Sequence, residues 1–323
     1  MQLKKIKTDV QTVSARFNMQ KTKETEQQYI KKAKSLLQKY ESEMGKDWKY
    51  DPLSAVKYIG NKRNEWSKST WRLYKSSLIF FMENYGPIEA VQYLNSLSTS
   101  ECLKKTDNTS AKKKKCIPEQ DLEQLINELE QKKSPYKQLT ILWLKATILT
   151  GLRPIEWKTA ILNGQTLIVK NAKNTNNRSF GKERYLVLSK MPQELLKNIS
   201  IFLDQLEKWQ KNHSFEIVYK NCRRLLYDTQ IKIWPKRKKR YTLYSARHQF
   251  ISNYKKTKID RKILGALVGH NTVKTAMFHY SKSIYGYKNS LAMIETHKDI
   301  VSKVRGEMVN FSSFAKAQKK QGN

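Results

Sequence analysis

Cysteine and acidic residues are scarce in this chain. Among 323 residues there are 3 cysteines, and 28 Asp and Glu stand against 63 Lys and Arg, a formal charge of +35. Cys102, Cys116 and Cys222 are too widely spaced for a disulfide framework or a zinc site. The five histidines form no H-x-x-x-H pair beside a carboxylate, and neither G-x-x-x-x-G-K-[ST] nor G-x-G-x-x-G occurs. Whatever chemistry the chain performs is expected to need no metal, nucleotide or redox cofactor. Long apolar runs are missing too: the most apolar stretch, Leu139 to Leu152, contains Lys145 and is too short to span a bilayer. The opening MQLKKIKTDV is basic but leads into no apolar segment, so no secretory signal is expected. No long amphipathic helix pairs a basic face with an aromatic one, which disfavours a membrane-surface protein.

Apolar and aromatic material is plentiful. Hydrophobic residues make up 39% of the chain, with 17 Tyr, 7 Trp and 10 Phe, enough to bury real cores despite the charge. The length suits two domains, at roughly 150 residues each. So large a positive excess opposes compaction unless a polyanion rewards it, and nucleic acid is the leading candidate ahead of an anionic membrane.

Residues 1–20 are polar and basic and read as an arm. Apolar positions recur at helical spacing from Lys21 to about Gly45, again from Lys68 to Tyr85 before the helix stop Gly86-Pro87, and over Ile88 to Leu97. Residues 21–97 are therefore expected to form a small helical domain. STSECLKKTDNTSAKKKK, residues 98–115, carries six lysines against one Asp and one Glu and reads as a linker. A second domain, 116–290, opens with a helix of one clean apolar face (Leu122, Leu125, Ile126, Leu129) and a buried helix over Leu139 to Leu149. Thr166 to Lys170 and Arg184 to Leu188 read as strands of a long hairpin. Helices return from Met191, and 291–323 form a tail with a helical stretch through Leu291, Ile294 and Ile300. The expected fold class is mainly α with a small antiparallel β-sheet.

Four patches of the second domain carry reactive side chains: Thr150-Gly151-Leu152-Arg153-Pro154-Ile155-Glu156, Lys173 beyond the strand ending at Lys170, Tyr244-Ser245-Ala246-Arg247-His248, and Leu267-Val268-Gly269-His270 followed by Tyr280. Metal-free cleavage of a phosphodiester needs a nucleophile, positive charge on the non-bridging oxygens, and an acid for the leaving oxygen. Two arginine forks can clamp the phosphate, a tyrosine can hold it covalently, and a lysine can protonate the 5′-oxygen.

Taken in order, T-G-L-R-x-x-E, a hairpin lysine, x-x-x-R-H, L-x-G-H and a terminal tyrosine resemble the tyrosine recombinase (phage-integrase-like) family over roughly Cys116 to Tyr287. The N-terminal helical segment is similar to that family's core-binding domain. The resemblance implies Arg153 and Arg247 as phosphate clamps, Lys173 as general acid, and His270 as a hydrogen-bonding partner of the scissile phosphate. Tyr280 is implied as the nucleophile, and Glu156 as a support for Arg153. Tyr244 stands where the family usually has a histidine; with a pKa near ~10 a tyrosine positions rather than accepts protons at pH 7. Tyr285 and Tyr287 are rival nucleophiles, Lys170 and Lys182 rival lysines, and His248 reads as a packing residue.

The expected DNA contacts are Lys68, Thr70, Arg72 and Lys75 on the N-terminal helix, Lys113 and Lys114 in the linker, and Lys236, Arg237, Lys238, Lys239 and Arg240 in the run Lys232 to Arg240. The resemblance implies a site-specific recombinase, an integrase of a mobile element, working on double-stranded DNA as a homotetramer at the cell's DNA. Accessory DNA-bending proteins and a tail docking in trans belong to the same expectation. A type IB topoisomerase-like enzyme and a catalytically weak, sequence-specific DNA-binding relative are the alternatives.

Overall fold

The computed structural model describes residues 21–103, 113–172 and 181–306, and the chain divides into two compact units, Met1–Asn108 and Thr109–Asn323.

The first unit is all helical: α1 (Lys23–Met44), α2 (Pro52–Asn61), α3 (Lys68–Tyr85) and α4 (Ile88–Ser96). Its helix starts are set by short polar side chains that accept the otherwise orphaned first-turn N–H groups: Thr22 for α1, Asp51 for α2 and Ser67 for α3. Its core is aromatic and aliphatic, with Leu37, Trp71, Leu78, Phe81 and Leu94 fully enclosed. Cys102 is buried in that core, and the Leu103 N–H donates to the Trp66 carbonyl at 2.9 Å, so the segment after α4 returns to the unit that precedes it.

The second unit is mainly α with a small antiparallel sheet, as expected. It begins with α5 (Glu119–Glu130) and α6 (Lys137–Thr150). α6 is apolar nearly all round and is buried on almost every face. α6 ends at Gly151 (φ +69°), where a Cβ would run into the Phe250 ring. A 3₁₀ turn, Pro154–Thr159, leads to β1 (Ile161–Asn163), β2 (Thr166–Lys170) and β3 (Glu183–Val187), in the order β1-β2-β3. Val169 pairs with Arg184 in the β2/β3 register. Strand alternation therefore turns Leu167, Val169, Arg184 and Leu186 inward together. Then come α7 (Gln193–Asn212), α8 (Phe215–Ile233), α9 (Leu243–Lys256), α10 (Arg261–Leu267), α11 (Val273–His279) and α12 (Lys298–Lys303).

Among the described residues of the tail, helix is confined to α12. Ahead of it Glu295 pairs antiparallel with Val187, exchanging two backbone hydrogen bonds of 2.8 and 3.0 Å, and a backbone spent on a strand edge cannot be helical. Ile300 and Val304 then pack on Ala266 of α10. Among the described residues no helix is long and apolar enough to cross a membrane.

Candidate active site

Four separate elements of the second unit converge around Tyr280: Tyr244, Arg247 and His270 reach its hydroxyl, and the turn carrying Arg153 and Glu156 lies beside them. Pro154 disfavours the helical conformation in the residue before it, so Arg153 is extended (φ −69°, ψ 146°) at the mouth of the 3₁₀ turn. Glu156, three residues on, reaches back to accept from the Arg153 backbone N–H at 2.7 Å and from its Nη1 at 2.6 Å. On α9, Tyr244 and Arg247 are three apart and share a face. Two residues past the end of α10, Gly269 (φ +65°) turns the chain so that the next residue, His270, faces inward. Tyr280 caps the end of α11.

The Tyr280 Oη lies 2.8 Å from the Tyr244 Oη, 3.2 Å from Arg247 Nε and 3.3 Å from His270 Nε2. Arg247 is fully buried; it donates from Nη1 to the Gly151 carbonyl (2.6 Å) and from Nη2 to the Val268 carbonyl (2.7 Å), with His270 Nε2 at 3.1 Å. One guanidinium thus ties the end of α6 to the end of α10 and still presents Nε to the tyrosine. With a guanidinium N–H aimed at it, His270 Nε2 is an acceptor, which leaves the proton on Nδ1.

The electrostatics favour an oxyanion at Tyr280. Burial alone would raise its pKa, but Arg247, the hydrogen bond from Tyr244 and Arg153 outweigh burial and hold the phenol below its ordinary value. Burial pushes Tyr244 up to about 12, so it stays protonated and able to donate. Burial and the surrounding arginines hold His270 well below the usual imidazole range, so it is neutral. Glu156 is the converse case: burial disfavours its charge, yet Arg184, Arg247 and Arg153 together keep it ionised.

Arg153, Glu156, Tyr244, Arg247, His270 and Tyr280 are therefore gathered in one place. Lys173 lies outside the described residues. The residues flanking that loop do meet the site: the Ala172 N–H reaches Glu156 Oε1 at 3.4 Å, whereas Lys170 and Lys182 are exposed. Of the rival tyrosines, Tyr287 donates its hydroxyl to the Ile117 carbonyl (2.9 Å), and Tyr285 is exposed. The His248 ring packs against Tyr280 with centroids 4.8 Å apart, and burial lowers its pKa to about 4.

The basic residues divide into free and engaged groups. Lys68, Arg72, Lys113, Lys236, Lys238 and Lys239 are exposed. Thr70 shares a 2.9 Å hydrogen bond with Ser67, and the Lys75 ammonium donates to the Asn95 and Leu97 carbonyls (3.1 and 2.7 Å) at the end of α4. Lys114 and Arg237 both reach Asp121 Oδ2, at 3.3 and 2.7 Å, and Tyr241 donates its hydroxyl to the same oxygen. Arg237 also lies over the Trp234 ring, 3.8 Å from its centroid. Arg240 reaches back to the Trp234 carbonyl at 3.1 Å.

Three participants escaped the sequence reading: Arg184, Asn171 and Lys255. Arg184 is fully buried against Glu156, Asn171 and the Leu267 carbonyl. Its one signal was a charged residue at an inward position of an alternating strand. Lys255, two turns beyond Arg247 on α9, donates to the Ser281 and Met277 carbonyls at 2.9 and 3.4 Å, on either side of Tyr280.

No family model and no curated protein matches this chain. Among solved structures it is similar to XerA recombinase, with a TM-score of 0.36 and 16% identity over 83% of this chain and 89% of that one. It is also similar to the XerH site-specific recombinase bound to its difH substrate before cleavage, with a TM-score of 0.44 and 13% identity over 79% and 75%. A lambda integrase dimer bound to a COC′ core site gives a TM-score of 0.40 and 11% identity over 84% and 85%. The solved chains that this one is similar to are thus recombinases and an integrase. With TM-scores below 0.5, that likeness carries nothing about activity.

Proposed function

We propose that this chain is a site-specific DNA recombinase of the tyrosine type, an integrase of a mobile element. The observation that carries the reading is the Tyr280 hydroxyl, held between Arg247 Nε, His270 Nε2 and the Tyr244 hydroxyl with its pKa depressed.

In the reaction, Tyr280 Oη attacks the scissile phosphorus, a phosphorus–tyrosine bond forms, and the bond to the 5′-oxygen breaks. The phenolic proton passes to His270 Nε2, 3.3 Å away, as attack proceeds, and the departing 5′-oxygen takes a proton from Lys173, the general acid. Arg153 and Arg247 balance charge on the non-bridging oxygens, Tyr244 donates to the tyrosine oxygen, and His270, once protonated at Nε2, donates to the phosphate. The 3′-phosphotyrosyl bond conserves the energy of the phosphodiester, so rejoining to a second 5′-hydroxyl needs neither ATP nor a metal. Double-stranded DNA is the partner. Four copies pair two sites, with accessory bending proteins and a tail docking in trans as further parts of the reading. Lys68 and Arg72 of the first unit, and Lys113, Lys236, Lys238 and Lys239 of the second, are the DNA contacts in this reading, whereas Thr70, Lys75, Lys114, Arg237 and Arg240 are held by neighbours in their own unit.

Covalent trapping tests this. The protein is incubated without divalent metal with nicked duplexes drawn from the DNA flanking its gene, and SDS-stable adducts are scored for wild type, Tyr280→Phe and Arg153→Ala. The expected result is a 3′-linked adduct for wild type and none for Tyr280→Phe. An adduct that survives Tyr280→Phe moves the nucleophile elsewhere. Tight DNA binding with no adduct favours the catalytically weak DNA-binding alternative, and relaxation of supercoils without pairing of sites favours the topoisomerase.

A further inference from the structure

Arg184 has no route to a substrate, yet it makes the closest fork-on-fork contact in the site. Its Nη2 lies 2.7 Å from Glu156 Oε2 and its Nη1 3.2 Å from Oε1, so it meets the carboxylate end-on with both terminal nitrogens. Nη1 also donates to Asn171 Oδ1 at 2.5 Å, and Nε donates to the Leu267 carbonyl at 3.0 Å. Three elements meet on this one side chain: the turn carrying Arg153 and Glu156, the β2/β3 pair, and the end of α10 with the chain just past it that presents His270.

Its charge matters as much as its reach. Three buried guanidiniums surround Glu156: Arg153 at 2.6 Å, Arg184 at 2.7 Å and Arg247 at 3.8 Å. A carboxylate in a dry site draws in whichever cation is free to approach, and the attraction strengthens as water is excluded. With Arg184 spanning both oxygens, Glu156 makes no hydrogen bond to Arg247, which stays 3.8 Å away with Nε on Tyr280. Arg153 Nε likewise has no hydrogen-bond partner. Gly269 fits the same arrangement, because a Cβ there would meet Asn171 Oδ1 at 2.7 Å and Arg184 Nη1 at 3.0 Å.

We propose that Arg184 is a positioning residue that occupies the Glu156 carboxylate and so keeps Arg247 on the Tyr280 hydroxyl and available for the phosphate, while locking the hairpin to the ends of the turn and α10. The proposal rests on the recombinase reading for its substrate, but its mechanism is a statement about oxyanion binding and can be tested without DNA.

Two readouts separate the outcomes. The first is the rate of adduct formation for wild type, Arg184→Met, Glu156→Gln and the double variant Glu156→Gln/Arg184→Met. The second is affinity for inorganic tungstate by titration calorimetry, with Arg153→Ala marking the background of a basic surface. Arg184→Met is expected to lose ~10- to ~100-fold in adduct rate, the usual cost of displacing a catalytic group by a fraction of an ångström to 1 Å. It should lose site-specific tungstate binding in parallel. Removing the carboxylate's charge as well should restore the double variant to the level of Glu156→Gln alone in both readouts, a rescue that no merely structural role gives. If Arg184→Met does not fold, the comparison of the double variant with Glu156→Gln still decides. A double variant well below Glu156→Gln, or an Arg184→Met indistinguishable from wild type, overturns the proposal. If wild type forms no adduct but tungstate binding follows the expected order, the recombinase reading fails and the role of Arg184 stands.

Discussion

Replacing Tyr244 by Phe removes one oxygen from the site and leaves its packing unchanged. That oxygen is 2.8 Å from the Tyr280 hydroxyl and stays protonated, because burial holds Tyr244 up at about 12. Hydrogen bonds to charged groups contribute about 1.5–3 kcal/mol, and the bond matters most as Tyr280 loses its proton. At about 1.4 kcal/mol per decade of rate, Tyr244→Phe should slow adduct formation ~10- to ~150-fold at neutral pH. The pH dependence gives the sign. The Tyr244 hydrogen bond is one of the interactions that hold Tyr280 below its ordinary value against burial, so without it the phenol titrates higher. The rising limb of the rate profile, set by deprotonation of Tyr280, should therefore move to higher pH, and the variant should gain on wild type as pH rises. Single-turnover trapping on nicked duplex across a pH series measures both. A Tyr244→Phe rate within twofold of wild type, or a slower rate with an unmoved limb, would refute the reasoning.

Lys255→Met keeps the aliphatic stem but loses the bonds to Ser281 and Met277; amide exchange over 277–281 should quicken and adduct formation fall ~10-fold, with little change in melting temperature. Gly269→Ala places a side chain at φ +65° against Asn171 and Arg184 and should cost about 1–3 kcal/mol in urea unfolding. Replacing Lys236, Lys238 and Lys239 together by Ala should reduce the slope of log K against log salt by ~2.7, at about 0.9 per phosphate contact. Arg237→Ala, which breaks the Asp121 and Trp234 contacts, should instead lower thermal stability and leave that slope nearly unchanged.

Features encoded locally were legible in the sequence. The helix stops at Gly45 and Gly86-Pro87, the apolar stripe of α5 and the all-round apolar α6 all announce themselves by spacing and turn residues. α2 was missed because ten residues from Pro52 to Asn61 give too short a period to stand out, and β1 because three residues carry no alternation. Arg153, Arg247, His270 and Tyr280 could be found because they sit in short patches of recognisable order. Arg184 and Asn171 could not, since their partners lie 28 and 13 positions from Arg184 and only the register of β2 on β3 brings them together. The basic loop misled in a different way. A sequence counts its charges equally, whereas Asp121, 116 residues from Arg237, spends one of them on holding the loop in place.

The Glu295–Val187 bridge bears on how the protein can be shortened. β3 is the last strand of its sheet, and residues 294–304 cover it and the neighbouring patch on α10. Unpaired strand edges recruit other chains. A version cut after residue 290 would bare the N–H and C=O of Val187 together with Ala266, an invitation to concentration-dependent self-association that has nothing to do with DNA. Shortened versions should therefore end beyond Arg305, whose backbone closes a further bridge, to Thr272.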